Sequence, residues 1–374
     1  MLREDHYDRL SRNGRGYLRD QTIAMANLYT CVSEPQLLTI YTDGQFAAQQ
    51  ESQNRHLAET LARTGCLVIP FPQMGGTLEE LGARNWQRMR TDIEPKYFSP
   101  LGAFNPPYMP LGYFFPPFIS WMKGQIMDAV FAKTNTSKNP ENIQLAEEVL
   151  QWSGYNGLFG DIYNPRLDLI VVEGEFKALS IYDAWLDLHE SILMDVFRDN
   201  PHHYPYRDLT PPPFVACLGI VGVWGMLRKN KGKQGYELRP EWADVLGSVP
   251  RSVKVCFDSD SEWNIQIGHA ASQMAQTLML YKMRTEYISI PSPIHKKLGA
   301  DDFLVESAQT KGYYEAAQEF YHLVQNAEPL AGGVPFNELV QATQATVDPE
   351  TKAEVQGQSA IGYLKQKYRQ SLLK

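Results

Sequence analysis

Three acidic residues stand directly after apolar stretches, where strands of a sheet are expected to end. Glu173 follows LDLIVV, and Asp258 and Asp260 follow SVKVCF. Each stretch has the length and composition of a strand buried on both faces, and a segment with helical spacing follows it. Ligands of open parallel sheets gather beyond the carboxyl ends of the strands. If the two strands are neighbours, the three carboxylates converge at one edge.

Clustered carboxylates point to a bound cation. They repel one another and are costly to desolvate, so a cation is their usual partner. Mg²⁺ takes oxygen ligands, keeps several waters and bridges to substrate phosphates. The sequence therefore predicts that Glu173, Asp258 and Asp260 bind Mg²⁺ or Mn²⁺ and stabilise phosphoryl charge with one or two ions. Gly174 has no Cβ, so a phosphate can approach closely there.

The two acidic motifs resemble those of TOPRIM domains. VVEGEFKALS at 171–180 is similar to the first motif, especially in primase-helicases of the phage and mitochondrial type. FDSDSEWNIQIGHAA at 257–271 is similar to the second motif. LGIVGVWGML at 218–227 stands where the family has a strand and a glycine turn.

Two further segments extend the resemblance. LGADDFL at 298–304 resembles a later acidic element, and KYFSPLG at 96–102 resembles an upstream element. The similarity covers about 94–310 and is nearest to a TOPRIM-like domain of plasmid and phage replication proteins.

The resemblance implies roles for individual residues. Glu173 would assist proton transfer or hold metal, and Asp258 and Asp260 would bind Mg²⁺. Lys177 is a departure, because many TOPRIM enzymes have aspartate there, and a lysine either grips a phosphate or weakens the metal site. Three further acids match the motifs and are expected to support the site: Glu175, Asp301 and Asp302.

A basic segment lies between the glycine turn and the second acidic motif. Its side chains are expected either to contact nucleic-acid phosphates or to remain solvated. They are Arg228, Lys229, Lys231 and Lys233.

The pattern of elements predicts an α/β fold of the TOPRIM-like, Rossmann-like type, with a mostly parallel sheet flanked by helices. Strand, helix and strand at 36–72 predict a further parallel βαβ unit, and 73–90 has helical spacing. Four parts are expected: an N-terminal α/β segment, a proline- and aromatic-rich loop with helices, the TOPRIM-like domain, and a helical C-terminal tail. Their ranges are 1–93, 94–156, 157–310 and 311–374.

Composition limits the function classes. The net charge of −8 argues against a broad electrostatic grip on nucleic acid but is compatible with a local basic strip. The four cysteines form no C-x-x-C half-site for zinc and are expected to be buried thiols. The chain has no phosphate-binding motif of a helicase motor, no signal peptide and no apolar stretch long enough to span a membrane, so a cytoplasmic location is expected.

These observations favour a Mg²⁺-dependent, primase-like protein of phage or mobile-element DNA replication. Its partners would be nucleic acid or nucleotides, with a separate helicase or polymerase subunit. One alternative is a TOPRIM nuclease that uses the same acids with water as the nucleophile. Another is a non-catalytic module that binds nucleic acid or nucleotide within a replication assembly.

Overall fold

The computed structural model divides the chain into two compact units, Met1–Leu111 and Gly112–Lys374. The residues that the structure describes are 1–37, 51–71, 86–91, 97–98, 106–110, 168–198, 215–230, 235–246, 252–293, 296–344, 346–347, 354–355 and 358–373.

The first unit contains a four-stranded antiparallel sheet in the order β1-β2-β3-β4. Its strands are β1 Tyr29–Cys31, β2 Cys66–Phe71, β3 Trp86–Arg90 and β4 Tyr97–Phe98. Its helices are α1 Glu4–Leu10, α2 Asp20–Met25 and α3 Glu51–Thr64. Every residue of β2 is buried.

The parallel sheet predicted for 36–72 is wrong. The helix and the second strand form as expected, but β2 has β1 and β3 as its two neighbours and pairs antiparallel with both. Residues 36 and 37 lie in a helical turn at 34–37, and the rest of the predicted first strand lies outside the described residues. A strand–helix–strand pattern identifies elements, but it does not identify which strand becomes the neighbour.

The helix predicted for 73–90 is wrong at its C-terminal end. Trp86–Arg90 is a strand in which Met89 is buried and the flanking Arg88 and Arg90 are partly exposed. The guanidinium groups of both arginines lie over the Tyr97 ring, at 4.3 and 5.4 Å from its centroid. The alternation of inward and outward side chains that marks a strand was therefore present in this segment. Its outward positions are arginines whose guanidinium groups lie over an aromatic ring.

The second unit is built on a five-stranded sheet in the order β11-β10-β9-β5-β6. Its strands are β5 Asp168–Glu173, β6 Val215–Ile220, β9 Ser252–Cys256, β10 Arg284–Tyr287 and β11 Glu328–Pro329. Only the short edge strand β11 is antiparallel among these five. The predicted mostly parallel sheet with flanking helices is confirmed.

Two small antiparallel pairs accompany this sheet. One is a hairpin of β7 Leu227–Lys229 and β8 Tyr236–Leu238, and the other joins β12 Thr346–Val347 to β13 Glu354–Val355. The basic segment after the glycine turn thus contains a hairpin where the sequence indicated a loop.

The helices of the second unit pack in two groups. One group contains α4 Glu175–Arg198, α7 Ala300–Lys311 and α8 Tyr313–Gln325. The other contains α6 Ile265–Leu280, α9 Phe336–Thr343 and α10 Ala360–Ser371. A short helix, α5 Pro240–Leu246, precedes β9. No helix in the described ranges is both long enough and apolar enough to cross a membrane.

The strand order places a topological switch point between β5 and β9. From β5 the chain moves to β6 on one side and then returns to β9 on the other side. In doubly wound folds, ligands bind beyond the carboxyl ends of the strands at such a switch point. Glu173 ends β5, and Asp258 follows β9 by two residues.

The four cysteines are free and buried, as the sequence predicted. Burial raises the pKa of the Cys66 thiol to about 12 and raises the pKa of Cys217 well above its usual value. These thiols are therefore protonated at neutral pH and are poor nucleophiles.

Candidate functional site

The turn after β9 presents the two aspartates at the switch point. Asp258 is only 5% exposed and has extended backbone, and the 3₁₀ turn Ser259–Glu262 begins directly after it. The Ser259 hydroxyl accepts a hydrogen bond from the Leu298 N–H at 2.8 Å and donates one to the Lys296 carbonyl at 3.0 Å. The Ser259 N–H also donates to the Leu298 carbonyl at 2.8 Å. The loop before α7 is thereby fixed beside the aspartates.

The turn after β5 presents Glu173. Gly174 has a φ of +101°, which favours glycine, and its N–H donates to the Ile220 carbonyl at the end of β6, at 2.9 Å. Helix α4 begins at Glu175, which is buried. The sharp turn therefore leaves Glu173 at the sheet edge and places Lys177 in the first turn of the helix.

Two lysines pair with the aspartates. Lys177 Nζ lies 3.1 Å from Asp258 Oδ1, and its side chain is 18% exposed. Lys297 Nζ lies 3.2 Å from Asp258 Oδ2 and 3.1 Å from Asp260 Oδ2, and its side chain is 57% exposed. Each carboxylate oxygen of Asp258 is thus paired with one ammonium group. That of Lys177 is largely buried, and that of Lys297 is largely in solvent.

The acids and lysines form one electrostatic cluster. Burial raises the pKa of Glu173, and the Asp258 carboxylate raises it further, while Lys177 and Lys297 oppose the shift. Burial also raises the pKa of Asp301, against the effect of Lys177. Burial alone would lower the pKa of Lys177, but the Asp301 and Asp258 carboxylates raise it above its usual value.

The loop before α7 closes the cluster. A Cβ added at Gly299 would lie 2.2 Å from Lys177 Cε, 2.5 Å from Asp301 Oδ1 and 3.2 Å from Asp258 Oδ1, so any side chain there would collide with the cluster. The Gly299 N–H donates to Asp302 Oδ2 at 3.0 Å. Asp302 therefore caps the helix by bonding back to its start, while Asp301 belongs to the cluster.

The cluster contains more carboxyl groups than ammonium groups. Glu173, Asp258, Asp260 and Asp301 supply four carboxylates, and Lys177 and Lys297 supply two ammonium groups. Asp260 Oδ1 and Asp301 Oδ1 are buried and accept no hydrogen bond from the residues the structure describes. Within those residues, no three His, Cys, Asp or Glu side chains are arranged to hold a metal ion. The ammonium groups instead lie against oxygens that a metal would use.

The structure brings together most of the residues that sequence singled out. Glu173, Lys177, Asp258, Asp260 and Asp301 form the cluster, with Gly174 at its edge. Glu175 lies buried at the start of α4.

The basic segment stands apart from the cluster in its contacts. Arg228 pairs with Glu237 across the β7–β8 hairpin, with Nε 2.7 Å from Oε1, and Lys229 is exposed on the same strand. Lys231 and Lys233 lie outside the described residues.

Sequence reasoning missed Lys297 and Gly299. Both belong to the KKLGADDFL segment, whose aspartates were noted while the preceding residues were not. Their signal was present, since a lysine and a glycine a few residues before an acidic pair suit a loop that crosses a carboxylate cluster.

One family model matches the chain. Residues 214–311 match a domain of unknown function, DUF3854. The matched segment runs from β6 to α7 and includes the aspartates, Lys297 and Gly299, whereas Glu173 and Lys177 precede it. No curated protein matches the chain, and no solved structure matches it.

Proposed function

We propose that this chain is a Mg²⁺-dependent, TOPRIM-type protein that processes nucleic acid, primase-like in lineage, in the DNA replication of a phage or mobile element. The supporting observation is the meeting of Glu173, Asp258 and Asp260 at the switch point between β5 and β9. The order of the motifs along the chain, and their resemblance to TOPRIM motifs, support the particular family.

Carboxylate oxygens are the donors that a hard divalent cation takes, and two buried oxygens of the cluster, Asp260 Oδ1 and Asp301 Oδ1, have no hydrogen-bond donor among the described residues. Lys297 lies against Asp258 and Asp260, so a bound ion would have to displace it. Asp258 and Asp260 would hold Mg²⁺ or Mn²⁺, with Glu173 as a further ligand or a proton carrier. When bound, the ion supplies Lewis-acid stabilisation of phosphoryl charge.

Glu173 is suited to move a proton. Its pKa is raised by burial and by Asp258, so the carboxyl exchanges a proton nearer to neutral pH than an ordinary glutamate does. In nucleotidyl transfer, it would accept the proton of an attacking 3′-hydroxyl. Gly174 leaves the edge of the sheet open to a phosphate.

The partners follow from the sequence. Single-stranded nucleic acid and nucleotides are the proposed substrates, with backbone contacts from the hairpin residues Arg228 and Lys229 and from Lys231 and Lys233. A helicase or polymerase subunit is proposed as the protein partner, in the cytoplasm.

A non-catalytic binding module is the second candidate. It is favoured by one observation: Lys177 and Lys297 already pair with both oxygens of Asp258 and with Asp260. In that case the lysines would bind a phosphate, and the acids would only position them.

Incubation with labelled nucleotides on a template, and with labelled single strands, distinguishes these functions. Primer extension that needs Mg²⁺ or Mn²⁺ and is lost in Glu173→Gln and Asp258→Asn supports the main proposal. Cleavage of the strands with the same dependence identifies a nuclease. Metal-insensitive binding without turnover identifies the binding module. Glu319→Gln is the control, because Glu319 pairs with Lys311 and Ser307 outside the cluster.

A further inference from the structure

Four aromatic rings form a cluster at the surface beside the β7–β8 hairpin. Trp224, in the turn after β6, stacks on Tyr236 of β8, with ring centroids 5.0 Å apart and planes inclined by 27°. His269 of α6 contacts the Trp224 ring at 5.7 Å in an edge-on arrangement, and Phe336 of α9 contacts His269 at 5.4 Å. All four residues are partly exposed. We call these four residues the aromatic platform.

The platform differs from the aromatic residues that build the core of the same unit. Trp185 and Trp242 are completely enclosed, with 0% of their surface exposed, so packing accounts for them. The platform rings instead leave part of their apolar surface in water. A further aromatic group that stacked on them would cover this surface.

The backbone that carries the stacked pair is defined and leaves space around it. The Leu227 N–H donates to the Trp224 carbonyl at 3.0 Å and closes the turn. Gly222 in that turn and Gly235, directly before Tyr236, have φ values of +70° and +107°. Among the described residues, no atom beyond the chain neighbours lies within 4 Å of a Cβ added at either glycine. A bulky ligand can therefore approach the two rings at these turns.

A positive charge lies on the same face of the hairpin as the stacked rings. Lys229 is directly opposite Tyr236 in the register of the two strands, so their side chains are neighbours on one face. Lys229 is exposed and forms no ion pair with a described residue. Arg228, which alternates to the other face, pairs there with Glu237. The face of Tyr236 therefore presents aromatic rings and an uncompensated ammonium group side by side.

This combination suits a single strand of nucleic acid. Unpaired nucleobases stack on aromatic side chains whatever their identity, and cationic side chains beside the rings follow the phosphates. A duplex keeps the faces of its bases covered by their neighbours, so it cannot use such rings. The ammonium group favours a polyanion over an uncharged apolar segment of a partner protein.

We propose that the aromatic platform binds single-stranded nucleic acid by stacking nucleobases on Trp224 and Tyr236 while Lys229 contacts an adjoining phosphate. This inference deepens the proposed function, because it rests on a nucleic-acid substrate and names the surface that holds the strand. Stacking needs no metal ion, so the binding can be measured apart from any turnover.

The test is fluorescence anisotropy of labelled strands with the full-length protein in EDTA, over a range of salt concentrations. The probes are oligothymidine, oligouridine, an oligothymidine with abasic sugars in place of most nucleotides, and a DNA duplex. The variants are Trp224→Leu, Tyr236→Leu, Trp224→Phe and Lys229→Ala. Tyr314→Leu is the matched control, since Tyr314 is a partly exposed tyrosine of α8 whose hydroxyl accepts a hydrogen bond from Gln318. Thermal unfolding checks that each variant is folded.

Each leucine variant should bind the intact strand roughly tenfold more weakly, with an unchanged dependence on salt, because stacking releases no counterions. Trp224→Phe, which keeps a ring, should retain most of the affinity, and the control should bind as the wild type does. Lys229→Ala should instead reduce the magnitude of the salt slope by about 0.7. The abasic strand should bind the wild type about as weakly as the intact strand binds the leucine variants. The stronger of the two intact strands identifies DNA or RNA as the ligand.

Equal affinity of the wild type for intact and abasic strands would overturn the inference, whether or not any variant folds. It would also be overturned by a wild type that binds no strand, or by folded leucine variants that bind undiminished or lose duplex binding equally. Metal-dependent extension or cleavage that persisted alongside such a result would leave the proposed function standing. Base-dependent binding without metal-dependent turnover would support the inference and contradict the proposed catalysis.

Discussion

At the scale of single residues, the central property is the raised pKa of Glu173. An acid whose pKa is higher in the folded state than in the unfolded state holds its proton more firmly when folded. Its contribution to stability is therefore most favourable at acidic pH and declines as pH rises from the ordinary glutamate pKa through the raised value. Burial of this carboxyl group therefore makes its contribution to the stability of the metal-free protein less favourable at neutral pH than at acidic pH.

Glu173→Gln should therefore stabilise the metal-free protein at pH 7. We expect a rise in Tm of about 2 °C in EDTA, which for a domain of this size corresponds to about 1 kcal/mol. The difference from wild type should vanish near pH 4, where both side chains are neutral. Differential scanning calorimetry at several pH values measures both quantities.

Glu319→Gln is the control with the opposite sign. Hydrogen bonds from Lys311 and Ser307 lower the pKa of Glu319, so its charge contributes stability above the ordinary pKa that is lost on acidification. This variant should be less stable than wild type at pH 7. A Glu173→Gln variant that is also less stable at pH 7 would show that the carboxylate is held by its lysines more strongly than it is opposed by its acids.

At the scale of elements, two glycines shape the cluster for different physical reasons. Gly174 requires its positive φ, and its nearest non-neighbouring atom is Lys177 Nζ, 4.0 Å from an added Cβ. Gly299 has ordinary extended backbone but lacks space, because Lys177 Cε would be 2.2 Å away. Truncation of Lys177 should therefore relieve an alanine substitution at Gly299 but not one at Gly174.

Alanine at either glycine should cost about 1–3 kcal/mol, through strain at Gly174 and through a clash at Gly299. Adding Lys177→Ala should recover part of the loss at Gly299, where Asp301 still crowds the position, and none at Gly174. Chemical unfolding of the single and double variants gives the coupling free energies. Equal rescue at both glycines, or none at Gly299, would contradict the packing described for the loop.

The elements show what the sequence could and could not predict. The strands before Glu173 and Asp258 were identified because uninterrupted apolar runs ending in acids are distinctive of buried parallel strands. That these two strands are neighbours was a condition of the prediction, and the structure pairs β5 directly with β9. The antiparallel pairing of β2 could not be predicted, because it depends on which strands become its neighbours in the fold. Strand β3 was not recognised because its outward positions are arginines, which lie over the Tyr97 ring.

The site was predicted in its acids and in Lys177, and missed in Lys297. Aspartates at strand ends are visible in sequence, whereas the partner of each is set by the fold. Lys297 reaches the aspartates only because Ser259 bonds to the loop that carries it. Asp302 had the same sequence signal as Asp301, but it bonds to the Gly299 N–H and caps α7.

At the scale of the whole molecule, the net charge of −8 limits how nucleic acid can bind. Contact should be confined to the local basic segment. For a single strand, the logarithm of the binding affinity falls by about 0.7 per neutralised phosphate for each tenfold increase in salt concentration. Four basic residues therefore predict a slope of about −3 when the logarithm of affinity is plotted against the logarithm of salt concentration.

Arg228→Ala with Lys229→Ala should reduce the magnitude of that slope by about 1.4. Fluorescence anisotropy of a labelled single strand over a range of salt concentrations measures it. Lys367→Ala with Arg369→Ala is the matched control, because these residues of α10 pair with Glu338 and Glu328. An equal change in the control pair would mean that the slope reports overall charge and not the hairpin.

The most direct test of the central claim, a divalent-cation site between β5 and β9, is calorimetry. Mg²⁺ and Mn²⁺ are titrated into the full-length wild type and into the Asp258→Ala/Asp260→Ala variant, with and without a nucleotide. We expect the wild type to bind the ions and the double variant not to bind them, with Glu319→Gln binding as the wild type does. Absence of binding by the folded wild type under every condition, or undiminished binding by the double variant, would contradict it.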